Sequence, residues 1–146
     1  MLFQRVNRTN AEKVFVTVYN NEGSILPLGT AAQWDVVVGN GVNVVQANTG
    51  ELNSFAGILP AAIGIASYGL CQVYGLADAA IYLSTDTSIA AGALLCPIAA
   101  QNYVSSSLST WATNASGTVL PVFAFAMQSS TSSAGTVLLK AFVRAL

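Results

Sequence analysis

The stretch YGLCQVYGL, residues 68–76, states the same three letters twice, six positions apart. Six is even, so on a strand both copies fall on one face, because successive side chains alternate sides. That face reads Tyr68, Leu70, Gln72, Tyr74 and Leu76, and the opposite one, Gly69, Cys71, Val73 and Gly75, is small. Small residues let a second layer of backbone come close, so the glycines read as places of tight packing or a bulge rather than as a ligand cradle. The large face sets two phenol rings, whose hydroxyls need partners, against a neighbouring strand or subunit. Tyr68, Leu70, Tyr74 and Leu76 are therefore the first candidates for an assembly surface.

Outward from this strand the same period of two dominates. In VFVTVYN, residues 14–20, valines alternate with Phe15, Thr17 and Tyr19, the β-branched and aromatic mix that suits a pleated surface. QWDVVV runs into GNG and then VNVVQA, which places Gly39, Asn40 and Gly41 where a hairpin turn needs positive φ. The turn NTGE at 48–51, strands at 79–83 and 89–99, a Ser-rich connection at 105–118 and a final hairpin, VFAFAMQ to TVLLKAFVRAL, complete the pass. A short helix fits only the Ala-rich stretch 56–66. About eight short strands without interleaved helices predict an all-β, single-domain antiparallel sandwich or small barrel, of jelly-roll or tulip-like form. The expected division is an extended N-terminal arm, residues 1–13, on a β domain, residues 14–146. No solenoid period is visible, and the doubled YGL reads as a local match.

The chain is 146 residues long with a net charge of −1, and only 8% of its residues are charged, against about 25% in an ordinary soluble domain. An exterior so poor in charge is expected to be covered in part by other subunits. The charges also cluster: Arg5, Arg8, Lys13, Lys140 and Arg144 lie at the ends, whereas Glu22, Asp35, Glu51, Asp78 and Asp86 occupy the body. Basic ends suggest arms that order on an acidic neighbour, with Leu2 and Phe3 as apolar anchors beside Arg5 and Arg8. Without clustered Lys and Arg a nucleic-acid partner is not expected. Residues 52–77 are uncharged and long enough to span a bilayer, but Pro60, four glycines and the acidic flanks Glu51 and Asp78 argue against a membrane. The opening MLFQRVNRTN turns polar before the apolar core of a secretory signal forms.

The chain contains no histidine, which removes the commonest general base and the Ser-His-Asp and Cys-His arrangements. Nothing in the spacing of Asp35, Asp78 and Asp86 sets two carboxylates across a cleft, and TDTS at 85–88 reads as an Asp-capped turn before it reads as a calcium loop. Cys71 and Cys96 lack metal-site spacing and are expected as buried thiols. There is no phosphate-binding glycine motif. The expectation is no enzyme, no cofactor and no metal.

The order FAGI at 55–58, IASYGLCQVYGL at 65–76, SIAAGALLCPIA at 88–99 and a terminal VLLKAFVRAL resembles the small head decoration, or cement, proteins of tailed bacteriophages. In that family an apolar AGI segment precedes a YG-x-x-QVYG strand, and an AG-x-x-L-x-P turn follows. The resemblance covers roughly residues 30–146; Cys71 and Cys96 stand where its pattern requires no cysteine. It implies a structural virion protein, made in the host cytoplasm, that binds the major capsid protein on the capsid exterior as a homotrimer. Two rivals are another virion component, of tail or fibre, and a carbohydrate-binding sandwich using Trp34, Trp111, Tyr68 and Tyr74.

Overall fold

A computed structural model of the chain describes residues 12–47, 54–83, 88–98, 100–106, 122–131 and 135–145. Among these there is no α-helix, and nine strands appear: β1 Val14–Asn20, β2 Ala31–Trp34, β3 Asn43–Gln46, β4 Phe55–Ile58, β5 Tyr68–Leu83, β6 Leu94–Pro97, β7 Val104–Ser106, β8 Ala124–Ala126 and β9 Gly135–Arg144. The all-β barrel expectation holds. The Ala-rich stretch 56–66 is not helical, because FAGI pairs with β2 and the chain then turns to an isolated bridge at Ile63. Residues 48–51 lie outside the described residues, as does most of the N-terminal arm.

The opening stretch and the run at 79–83 are one strand. Asp78, where the sequence seemed to break, stays in the ladder: it points outward and its carboxylate meets the Lys140 ammonium at 2.6 Å, across the Asp78/Lys140 rung of β5 and β9. This strand of 16 residues carries two barrels. Its first half pairs with β1 and β4, and its second half with β9 and β7. The ladder order β1-β3-β2-β4-β5 closes by the β1 to β5 pairing, and β5-β7-β6-β8-β9 closes by the β5 to β9 pairing. Two five-stranded rings thus share one member.

The rings have the same plan. Renaming β1 to β5 as β5 to β9 turns the first order into the second, and each pair keeps its sense: β1–β3 and β5–β7 are parallel, all the others antiparallel. Register agrees in the ladders of β2 with β3 and β4. The rungs Ala31/Ile58 and Ala32/Gly57 of barrel 1 recur in barrel 2 as Leu94/Phe125 and Leu95/Ala124. Trp34/Val44 recurs as Pro97/Val104, and the bridge Leu26/Ile63 as Ile89/Ser130. Positions through β2 correspond at an offset of 63 (Leu26 to Ile89), β3 at 60 (Val44 to Val104), and the rungs of β4 and the bridge at Ile63 at 67 (Ile63 to Ser130). The structure therefore contains a tandem repeat that the sequence does not display.

Each barrel has its own apolar core. Val18, Leu26, Val44, Leu59, Ile63 and Cys71 fill the first, with Val16 and Trp34 packed against them. The second is lined largely by alanine, at positions 77, 79, 124, 126 and 141, with Ile81, Leu95, Val104 and Val143. A five-stranded ring has a narrow lumen, and small side chains are what fits inside it.

Candidate assembly surface

The two copies of YGL have different jobs in this frame. Where β1 passes β5, the register slips between Val14 and Phe15, whose partners are Tyr74 and Gln72, so β5 carries one extra residue, Val73, as a bulge. Gly75, beside it, has φ 98°, and any Cβ there would run into the carbonyl of Glu12. Gly69 makes room for the Ile63 side chain. Both glycines serve close packing, as the sequence reading expects.

The face read as Tyr68, Leu70, Gln72, Tyr74 and Leu76 divides at the bulge. On barrel 1, Tyr68 is 70% exposed and Leu70 51%, and Phe15 stands beside them across the ladder. The Tyr68 ring tilts against that of Tyr19, with centroids 5.0 Å apart. Gln72 is buried, with its amide nitrogen donating to the Tyr74 carbonyl. On barrel 2, Tyr74 and Leu76 are half-buried. Tyr74 meets Phe142 edge to face at 5.2 Å, and Phe142 stacks on Phe125 at 5.2 Å. The structure therefore brings Tyr68 and Leu70 together as open apolar surface and spends much of Tyr74 and Leu76 on packing within the chain. Leu2, Phe3, Arg5 and Arg8 lie outside the described residues.

A second apolar feature escaped the sequence reading. The β2–β3 connection is a loop of eight residues, 35–42, whose tip exposes Val36, Val37 and Val38, with Val37 88% exposed. It is held rigidly. Asp35 Oδ1 accepts the N–H groups of Val37 and Val38, Asn40 Oδ1 accepts those of Val42 and Asn43, and Gly39 and Gly41 take φ 61° and 66°. A run of three valines reads as strand interior, so only the Asp and Asn at fixed offsets signal that it is displayed.

Beside this tip Asn21, Glu22, Asp35, Val37 and Gln46 line an open cleft of about 390 Å³. Its carboxylates already have structural work. Asp35 accepts from the Asn21 amide at 2.7 Å, and that bond, with the Val38 and Val37 amides, holds its carboxyl below the usual carboxylate value. Glu22 accepts from the Gly23 and Gln46 amides. Among the described residues no three His, Cys, Asp or Glu side chains gather as a metal site would require. Cys71 and Cys96 are free and buried, and burial pushes their thiols up to about 12 and about 11. Trp34 packs against the first core rather than presenting a sugar platform, and Trp111 lies outside the described residues.

No family model and no curated protein matches the chain. Its fold is similar to a solved structure described as the head fiber gp8.5 N base of bacteriophage phi29. The likeness covers 90% of this chain and 96% of that one, with a TM-score of 0.53 at 9% sequence identity. At that identity what the two share is the fold.

Proposed function

We propose that this protein is a non-catalytic structural subunit of a phage virion, which binds the outer surface of the capsid lattice as a trimer and stabilises it. The observation that carries this reading is the fold likeness to a phage head-fibre base over nearly the whole of both chains. The decoration-protein motifs in its sequence support it, and so does an exterior with few charges and exposed Phe15, Tyr68 and Leu70. The partners are sister subunits and the major capsid protein, with neither nucleic acid nor membrane involved. Fully burying a side chain of this size contributes about 1.5–3 kcal/mol, so losing two such groups should weaken attachment by a measurable factor. The likeness to a fibre base also favours a second reading, in which the subunit is the foot of a projecting fibre.

Negative-stain imaging of empty phage shells mixed with purified protein separates the two. Even decoration of the shell face is expected, rods standing off it would favour the fibre foot, and bare shells at saturating protein would end both readings. The double variant Phe15→Ser with Tyr68→Ser should lower occupancy at least tenfold while its circular dichroism stays that of the native protein.

A further inference from the structure

The two barrels meet through a contact whose two halves each occur a second time on the surface. In the junction, the turn 27–30 of barrel 1 lies on β5 of barrel 2, and the Gly29 carbonyl accepts the Ala80 N–H at 3.0 Å. A Cβ on Gly29 would stand 2.8 Å from both the Ala80 nitrogen and Leu138 Cδ1, and φ there is 80°, so the site needs glycine for room and for conformation. Behind the turn, Ala31 is 0% exposed and its rung partner Ile58 is buried with it.

The repeat builds the same turn again at 90–93. The bond from Thr30 N–H to the Pro27 carbonyl recurs from Ala93 to Ala90. Gly29 to Leu59 recurs as Gly92 to Ala126, and Leu59 to Thr30 as Ala126 to Ala93. Gly92 has φ 88°. Yet among the described residues this second turn is bare: no atom of theirs lies within 4 Å of a Cβ at Gly92. Leu94, the counterpart of fully buried Ala31, is 47% exposed, and its rung partner Phe125, the counterpart of Ile58, is only half-buried.

The receiving half recurs too. Ala80 and Leu138 are rung partners in barrel 2, as Thr17 and Leu70 are in barrel 1, and both Thr17 and Leu70 are exposed. Tyr19 donates its N–H to the Val42 carbonyl, away from β5. Alternate amides of a strand share an edge, so the Thr17 N–H leaves β1 on that same side, which the β3 ladder covers only from Tyr19 onward.

We propose that turn 90–93 of one copy docks on the Thr17 and Leu70 edge of a second copy, with the Gly92 carbonyl accepting the Thr17 N–H and Leu94 buried in the contact. The occupant is another copy of this chain because the fitting surface stands on the same chain, and because this contact already joins its own barrels. It rests on the oligomer in the proposed function and names the surfaces that form it; it does not depend on attachment to a capsid. Since the two surfaces differ, the association is head-to-tail. Ala77 is the counterpart of both Val14 and Arg144, so a straight continuation would lay Arg144 of one copy on Val14 of the next. The copies therefore meet at an angle, and such a head-to-tail contact closes a ring where its rotation divides a full turn and otherwise runs on as a helix.

Sedimentation velocity tests this with Leu94→Lys, an exposed position in the isolated chain, and with Thr17→Pro, which removes the amide proton at the uncovered edge. Each variant alone should raise the dissociation constant at least tenfold. Mixed together they should form a one-to-one dimer and nothing larger, because the intact turn of Thr17→Pro meets the intact edge of Leu94→Lys. Should Thr17→Pro fail to fold, Leu70→Lys serves as the edge variant. Folded variants that keep the wild-type assembly, or a mixture that stays monomeric, would overturn the contact and leave the proposed function standing. A wild type that is monomeric at every concentration overturns both.

Discussion

Barrel 1 and barrel 2 draw the same ring with different material. Where barrel 1 has Val14, Val16 and Val18, barrel 2 has Ala77, Ala79 and Ile81 at the corresponding positions. Barrel 1 closes a core made of its own residues, but the core of barrel 2 also takes in Ala31, Phe55 and Ile58 from its neighbour, with the Phe55 ring stacked on Phe123 at 4.9 Å. The plan of the ring thus tolerates wide changes in filling. What persists between the copies is the bridge residue, Leu26 or Ile89, and the positive-φ glycine three positions on. Topology here is set by turns and bridges, and core composition decides which barrel leans on the other.

The largest expected effect erases the distinction. Gly75→Val meets both a φ of 98° and the Glu12 carbonyl at the joint of the two rings, so it should cost more than about 4 kcal/mol and unfold both barrels in a single denaturant transition. Next, Phe55→Ala should test the dependence of barrel 2, at about 3–5 kcal/mol. The two thiols report where the loss falls. With their pKa values raised to about 12 and about 11, both are protonated at pH 8 and label with a thiol reagent only when the packing around them opens, Cys71 in the first core and Cys96 on β6 of barrel 2. Phe55→Ala should speed labelling of Cys96 more than that of Cys71, although Phe55 belongs to the strand set of barrel 1; equal acceleration would make the two cores one. The smallest effect lies on the outer surface. Asp78 and Lys140 pair in barrel 2 where barrel 1 has Phe15 and Gln72. Lys140→Ala should lower stability by less than about 1 kcal/mol, and by less still in high salt.

Much of barrel 1 was legible. Val14, Val16 and Val18 alternate with Phe15 and Thr17 in sequence and in burial alike, and the tight packing expected at Gly69 and Gly75 is there. The glycines at 39 and 41 do take positive φ, although the turn around them is longer than a hairpin. The length of β5 was hidden because Asp78 looked like a break until its rung partner Lys140 was known. The repeat was hidden for a related reason: pairs such as Thr17 and Ala80, or Ala31 and Leu94, share a place in a ladder without sharing chemistry. Of the candidate assembly face, the pattern gave the shared side but not which residues stay open. Tyr68 and Leu70 stand open, whereas Tyr74 packs edge to face on Phe142, which stacks on Phe125, and Leu76 is half-buried as the rung partner of Phe142; both rings sit far away in sequence.

Five members in a ring have a further consequence. Strand directions that alternate around a closed loop behave like alternating signs, and alternation succeeds only when the count is even. An odd ring is frustrated, and at least one pair of neighbours must point the same way. The mismatch in barrel 1 is β1 against β3, carried by the rungs Tyr19/Asn43 and Asn20/Val44, and in barrel 2 it is β5 against β7, carried by Ile81/Val104 alone. Parallel pairing is the less stable kind per residue, and both of these ladders are short. Each barrel therefore has a built-in seam, its existence fixed by arithmetic before any side chain is chosen.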